Sequence, residues 1–109
     1  MNFDYLPIPK GAQPPMLKFD NDTEFHQALS DNAYAIHVRT LYAIDYAYNT
    51  DFDGEITIAF LNDEDTILGC PQDVWVDNLE MSLEYFIEIE DYEKCQEVQQ
   101  LINKLKANE

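Results

Sequence analysis

Apolar residues in the C-terminal third of the chain recur at the spacing of one helix face. Leu79, Leu83 and Phe86 follow one another at intervals of four and three residues, as on the buried side of an amphipathic helix. A second stripe of the same kind follows closely and consists of Cys95, Val98, Leu101, Ile102 and Leu105. Two such stripes joined by a very short turn predict an antiparallel helical hairpin over residues 71–106.

The residues around these stripes predict where the two helices begin and end. The first helix is predicted to begin at Asp73, shortly after Pro71, and to run to about Glu90. Asp is one of the side chains preferred where helices begin. The second helix is predicted to run from about Tyr92 to Lys106.

The middle of the chain has the pattern of a β-hairpin. Residues 51–54 are predicted to form a turn. The alternating pattern and the β-branched residues of the following segment, residues 55–61, are those expected of a half-buried strand. Residues 62–65 are polar and are predicted to reverse the chain. Residues 66–70 are predicted to return as the partner strand.

The N-terminal half predicts an extended segment followed by helix. Four of the five prolines lie in residues 1–18, and this density excludes a helix and favours an extended arm. A helix is predicted to begin around Glu24, with Asp22 or Thr23 as its cap. The spacing in residues 31–48 favours a second helix, although their β-branched and aromatic content leaves a strand open.

Together these elements predict an α+β fold. Its parts are the extended N-terminal arm, one or two helices, the β-hairpin and the C-terminal antiparallel helical hairpin. The 109 residues are about the number found in one domain, so residues 1–109 are predicted to be a single domain. Aromatic residues make up 13% of the chain, far more than a disordered acidic tail carries, and we expect the chain to fold.

Charge narrows the classes of partner. The chain has 22 Asp and Glu against 6 Lys and Arg, and its formal net charge is −16, whereas solubility needs a magnitude of only about 2–8 in a small domain. A field of this sign repels nucleic acid and anionic lipid, so direct binding to either is disfavoured. The expected partner is a basic protein.

The negative charge is also regional. Residues 40–93 contain fifteen carboxylates and no Lys or Arg. On a helix, five of these carboxylates would share one narrow stripe: Asp73, Asp77, Glu80, Glu84 and Glu88. With the three carboxylates of the predicted turn, Asp63, Glu64 and Asp65, they are the candidate partner-binding residues. The alternative is a solvated helix face on an acidic protein.

A row of carboxylates on a helix has a spacing comparable with that of nucleic acid. Side chains four residues apart stand about 6 Å from each other along the axis, whereas phosphates on one DNA strand rise ~3.4 Å per step and also swing around the axis. The row could therefore occupy Lys and Arg groups that a nucleic-acid-binding protein reserves for phosphate. The predicted function is competitive inhibition or modulation of such a protein.

Signs of catalysis or of a cofactor are missing from the sequence. There is no glycine-rich phosphate loop, nucleophile elbow or triad-like set of residues, so the protein is predicted not to be an enzyme. His26 and His37 are expected to be partly buried or exposed, and not catalytic. Residues 49–56 resemble the start of a calcium loop, but Phe60 stands where the bidentate Glu belongs. No metal or other cofactor is therefore predicted.

The compartment follows from the cysteines and from hydropathy. Cys70 and Cys95 are too sparse for a secreted disulfide scaffold and are predicted to be reduced core thiols. No secretory signal and no run approaching 18 apolar residues is present. The expected location is the cytoplasm, without contact to a membrane.

Residues 79–105 resemble the UVR motif, a short helical hairpin of the UvrB and UvrC excision-repair proteins and of some protease adaptors. The resemblance is carried by Glu90-Asp91-Tyr92-Glu93-Lys94, then Glu97, then Ile102, Lys104 and Leu105. Such hairpins mediate protein–protein contact, so the resemblance implies a docking or dimerising element, and a homodimer is possible.

In overall charge the chain resembles DNA-mimic proteins and the small acidic inhibitors with which phages block defence nucleases. Two other functions stay open. One is an immunity protein that neutralises a basic nuclease toxin through the same acidic face. The other is an adaptor or structural subunit that dimerises through its helical hairpin.

Overall fold

The computed structural model describes residues 13–52 and 54–107 of the chain. They form an α+β fold that contains three strands and four α-helices. The elements are β1 (Met16–Leu17), α1 (Asp22–Asp31), α2 (Ala33–Asn49), β2 (Ile56–Leu61), β3 (Asp63–Cys70), a short 3₁₀ helix (Gln72–Val74), α3 (Trp75–Glu88) and α4 (Tyr92–Ala107). The predicted α+β class, with its β-hairpin and C-terminal helical hairpin, is confirmed.

The sheet has the order β1-β2-β3. β2 and β3 are antiparallel, as the sequence predicts, while β1 runs parallel to β2 with Met16 opposite Phe60 and Leu17 opposite Leu61. β1 belongs to the Pro-rich arm, so the described end of the arm is a strand of the sheet. Residues 1–12 of the arm lie outside the described residues.

β2 is buried on both faces, so the prediction of a half-buried strand is wrong. Residues 56–59 are all buried, because an apolar cluster covers each face of β2. Ile56 and Ile58 belong to the main core, whereas Ala59 packs with Leu17 and Ala28 in a smaller second cluster. A strand covered on both sides has no reason to alternate.

The helical hairpin packs with α2 and β2 in the main core. Leu79 and Phe86 of α3 are fully buried with Val98 of α4, and Leu101 and Ile102 are almost fully buried. Leu83, Cys95 and Leu105 are partly buried against this core. The two predicted apolar stripes are therefore the packed faces of the hairpin.

The turn between α3 and α4 follows a Schellman pattern. The amide of Glu90 donates to the carbonyl of Ile87 at 3.0 Å, and the amide of Asp91 donates to that of Phe86 at 2.9 Å. Glu90 has φ of 61°, in the left-handed region where glycine is usual. The three residues from Ile89 to Asp91 thus reverse the chain and leave the helices antiparallel.

Several helix ends differ from the prediction. Asn21 caps α1 by accepting a hydrogen bond from the amide of Glu24 at 2.9 Å, and the predicted caps Asp22 and Thr23 lie inside the helix. The segment predicted as helix or strand is the helix α2.

In the described part of the chain, no helix combines the length and the apolar composition that crossing a bilayer requires.

Candidate functional site

The exposed side of α3 carries a row of four carboxylates, which we call the acidic face. Its members are Asp77, Glu80, Glu84 and Glu88, and all four are exposed. At 100° per residue they fall within an arc of about 80°, and they span about 16 Å along the helix. Trp75, Leu79 and Phe86 lie on the opposite, buried side, so packing of the core turns the acidic face to solvent.

Asp73 does not belong to this helix. It lies in the 3₁₀ helix before α3 and is exposed, whereas the sequence predicted that the α-helix begins there. The α-helical spacing that was assigned to five carboxylates therefore holds for four of them.

The other three candidate residues form the acidic tip, Asp63, Glu64 and Asp65, at the beginning of β3. All three are exposed, but they are strand residues and not the predicted turn. Asn62 makes the reversal, with φ of 66°. The carboxylate of Asp63 accepts hydrogen bonds from the amides of Asp65 and Thr66, both at 2.9 Å. These bonds lower the pKa of Asp63 and engage its carboxylate within the chain.

The acidic tip and the acidic face lie on different elements. β3 is about 23 Å long, and its other end leads into the 3₁₀ helix and α3. There, Asn78 of α3 donates to the sulfur of Cys70 at 3.3 Å. The acidic tip therefore lies at the end of β3 that is remote from the start of α3. The eight predicted residues are thus divided among β3, the 3₁₀ helix and α3.

The basic side chains described by the structure do not neutralise the acidic face. Arg39 is fully buried and donates its Nε hydrogen to the carbonyl of Thr57 at 2.9 Å. Lys94 lies 3.5 Å from a carboxylate oxygen of Asp91 and 5.8 Å from the ring centre of Tyr34. Within residues 13–52 and 54–107, no ion pair joins a basic side chain to the acidic face. At the acidic tip, by contrast, Lys18 donates to the carbonyl of Asn62 at 2.9 Å and its charge contributes to the lowered pKa of Asp63.

Apolar side chains are exposed beside the acidic face. Met81 and Ile87 are 61% and 52% exposed, and their helical positions place them on either side of the carboxylates. Ile89 and Tyr92, at the turn of the hairpin, are also exposed. Apolar side chains that flank charge at a surface are typical of protein interfaces.

A cavity between α2 and α3 was not predicted. This α2–α3 cavity measures about 320 Å³. Six apolar side chains line it, Leu29, Ala33, Ile36, Ile58, Leu68 and Met81. Its four polar lining residues are His37, Thr40, Asn78 and Ser82.

The polar wall of the cavity is built around His37. Its Nδ1 lies 2.8 Å from the Oγ of Ser82, and its ring stacks on Tyr85 with centres 4.5 Å apart. Burial lowers the pKa of His37, so the imidazole is neutral at pH 7. His37 is partly buried, which is one of the two placements predicted for it. Ser82 lies 45 residues from His37 in the sequence, and no local sequence pattern predicts a contact between positions so far apart.

Two other features that the sequence singles out are the thiols and the loop that resembles a calcium site. Cys70 and Cys95 are both free, and burial raises the pKa of Cys70 to about 11, which keeps it protonated. Phe60 lies in β2, and Asp53 of the calcium-like loop is outside the described residues. Among the residues that are described, no three His, Cys, Asp or Glu side chains come together as metal ligands.

Comparison of the chain with protein-family models, with curated proteins and with solved structures gives no match.

Proposed function

We propose that the protein acts in the cytoplasm by binding a basic, nucleic-acid-binding protein through the acidic face of α3, and that it catalyses no reaction. The observation that carries the proposal is the exposure of Asp77, Glu80, Glu84 and Glu88 in one row, on a helix without Lys or Arg. Like charges at this spacing destabilise a helix. A partner that supplies the opposite charge would offset this cost in the complex.

Competition with nucleic acid is the proposed mechanism. The row presents carboxylates at steps of about 4.5 and 6 Å over three helical turns, so several Lys and Arg side chains of a phosphate-binding surface can be engaged together. The acidic tip would extend the contact through Glu64, Asp65 and Oδ2 of Asp63, because the two backbone hydrogen bonds to Asp63 both end at its Oδ1.

The experiment measures salt-dependent capture and its reversal by DNA. Proteins eluted from DNA-cellulose are passed over the immobilised protein at low and high salt. The test variant changes Glu80, Glu84 and Glu88 to Gln. A control variant removes the same charge from exposed carboxylates elsewhere, with Asp20→Asn, Asp31→Asn and Glu93→Gln. We expect a basic protein to be retained at low salt by the wild type and by the control, and lost by the test variant.

Added duplex DNA separates the proposed functions. Release of the captured protein by DNA supports mimicry, whereas capture of a single nuclease toxin that DNA does not release supports the immunity function. Equal retention by the test variant and the wild type would show that the acidic face is not the contact surface.

A second candidate, a dimerising adaptor, is favoured by the exposed apolar residues of the hairpin. Met81, Ile87, Ile89 and Tyr92 are between 43% and 63% exposed, and the resemblance to the UVR motif, which stays a prediction, covers the same hairpin. Light scattering after size exclusion tests this function. A salt-insensitive dimer that Ile87→Ser converts to a monomer supports the adaptor, and a monomer at all concentrations excludes self-association.

A further inference from the structure

The α2–α3 cavity has the size and the wall of a small-ligand site. Its volume of about 320 Å³ is at the lower end of the roughly 300–1,000 Å³ typical of ligand pockets. The wall combines apolar side chains from five elements, α1, α2, β2, β3 and α3. Met81, which is 61% exposed, lies at the mouth, and its flexible thioether can adapt to an occupant.

Most polar groups of the wall are already paired within the chain. The hydroxyl of Thr40 donates to the carbonyl of Ile36 at 2.8 Å. The amide nitrogen of Asn78 donates to the carbonyl of Val74 at 2.9 Å and to the sulfur of Cys70. Ser82 is paired with Nδ1 of His37. These bonds fix the positions of the four side chains.

Two polar atoms of the lining residues keep hydrogen-bonding capacity. Within the described residues, no hydrogen bond is recorded to Oδ1 of Asn78 or to Nε2 of His37. Neither atom is a buried atom without a partner, so both remain reachable from solvent. Asn78 Oδ1 is an acceptor, and Nε2 of the neutral imidazole donates or accepts according to its tautomer. The tautomer depends on the direction of the bond to Ser82.

The absence of charged side chains from the wall disfavours ionic ligands. None of the lining residues is Asp, Glu, Lys or Arg, although the chain as a whole carries a charge of −16. An ion that entered would lose hydration without gaining an opposite charge. An anion would in addition be repelled by the protein.

We propose that the α2–α3 cavity binds a small, uncharged, largely apolar molecule whose single hydrogen-bonding group is held by Asn78 and His37. This site is separate in chemistry from the acidic face of α3, and the two proposals can fail independently. The ligand class follows from the apolar wall, the uncharged lining and the two polar atoms that remain available.

Indole is a suitable probe because it is apolar, uncharged and carries one N–H donor. Its binding is followed by NMR through the methyl resonances of Leu29, Ile36 and Leu68, which line the cavity. We expect saturable shifts of these methyl groups. N-methylindole, which lacks the donor, should bind about fivefold more weakly, and indole-3-acetate, which is an anion, should bind more weakly still.

Two matched variants of α2 locate the site. Ala33 lines the cavity, whereas Ala35 of the same helix is exposed and does not. Ala33→Phe should abolish the indole-induced shifts, and Ala35→Phe should leave them unchanged. The Ala33→Phe variant counts as folded if the NMR resonances of α4 keep their wild-type positions. If it does not fold, the smaller change Ala33→Leu is used instead and should weaken indole binding at least severalfold.

Three results with the wild type and the Ala33 variant would overturn the inference. They are the absence of saturable shifts, shifts of equal size in the Ala33 variant, and equal binding of indole and indole-3-acetate. Binding should also persist when Glu80, Glu84 and Glu88 are changed to Gln. Loss of indole binding in that variant, with its fold intact, would place the ligand on the acidic face instead and contradict the proposed site.

Discussion

Nδ1 of His37 and Oγ of Ser82 lie 2.8 Å apart and join the second turn of α2 to the middle of α3. Ser82 is fully buried and His37 is partly buried, so water replaces this bond only incompletely when it is broken. The bond therefore contributes to the packing of the helical hairpin against α2, and it also shapes the polar wall of the α2–α3 cavity.

Removal of this hydrogen bond should destabilise the protein. We expect Ser82→Ala to lower the free energy of unfolding by about 1 kcal/mol, because a buried bond is lost and Nδ1 of His37 is left with poor access to water. Urea denaturation measures the change. Ser30→Ala, at an exposed position of α1, is the control and should change stability little. Equal stability of the wild type and Ser82→Ala would show that the bond contributes nothing.

Stability should fall on acidification through the titration of His37. Burial lowers the pKa of His37 from its usual 6.5, so between the folded and unfolded pKa values the unfolded chain binds more protons. The contribution is present in full above pH 6.5 and is lost as the pH falls through the folded pKa. Urea denaturation of the wild type and His37→Gln between pH 7.5 and 5 should show a steeper loss in the wild type. His26→Gln, at an exposed position, should keep the wild-type slope, and parallel curves for the wild type and His37→Gln would contradict this prediction.

Glycine should be preferred to glutamate in the turn of the hairpin. Glu90 has φ of 61°, where a side chain costs roughly 1–2 kcal/mol. Glycine avoids this cost but loses more entropy on folding. We expect Glu90→Gly to raise the free energy of unfolding by about 0.5–1 kcal/mol. Glu90→Gln removes the charge alone and should have a smaller effect, so equal stabilisation by both variants would assign the gain to charge and not to the backbone.

A single charge reversal should stabilise α3 while it weakens binding. Glu84 lies four residues from both Glu80 and Glu88, so Glu84→Lys replaces two repulsions by two attractions. We expect a gain of roughly 0.5–1 kcal/mol at low salt, which shrinks at 1 M NaCl because of screening. In thermal unfolding, stability should increase from the wild type to Glu84→Gln and from Glu84→Gln to Glu84→Lys. Unchanged stability in both variants would show that the acidic face carries no repulsive cost.

The cap of α1 illustrates how far the sequence could be interpreted. Three adjacent residues, Asn21, Asp22 and Thr23, all have side chains that cap helices. Only Asn21 accepts from the amide of Glu24, because the chain leaves its extended conformation at that residue. Composition thus located the helix start to within a few residues, and the backbone conformation selected the cap.

The sequence by itself determined the elements whose apolar residues recur with a regular period. Local spacing located the β-hairpin but did not predict the burial of β2 on both faces. The stripes of α3 and α4 and the solvent-facing row of Asp77, Glu80, Glu84 and Glu88 follow from local spacing, since the period of a helix shows which side is buried. Local spacing does not show what covers that side. The tertiary structure alone decided that Leu17 pairs beside Leu61, that Arg39 is buried, and that His37 meets Ser82 at the wall of a cavity. Those contacts join residues far apart in the chain, and they form only because the packed core brings their elements together.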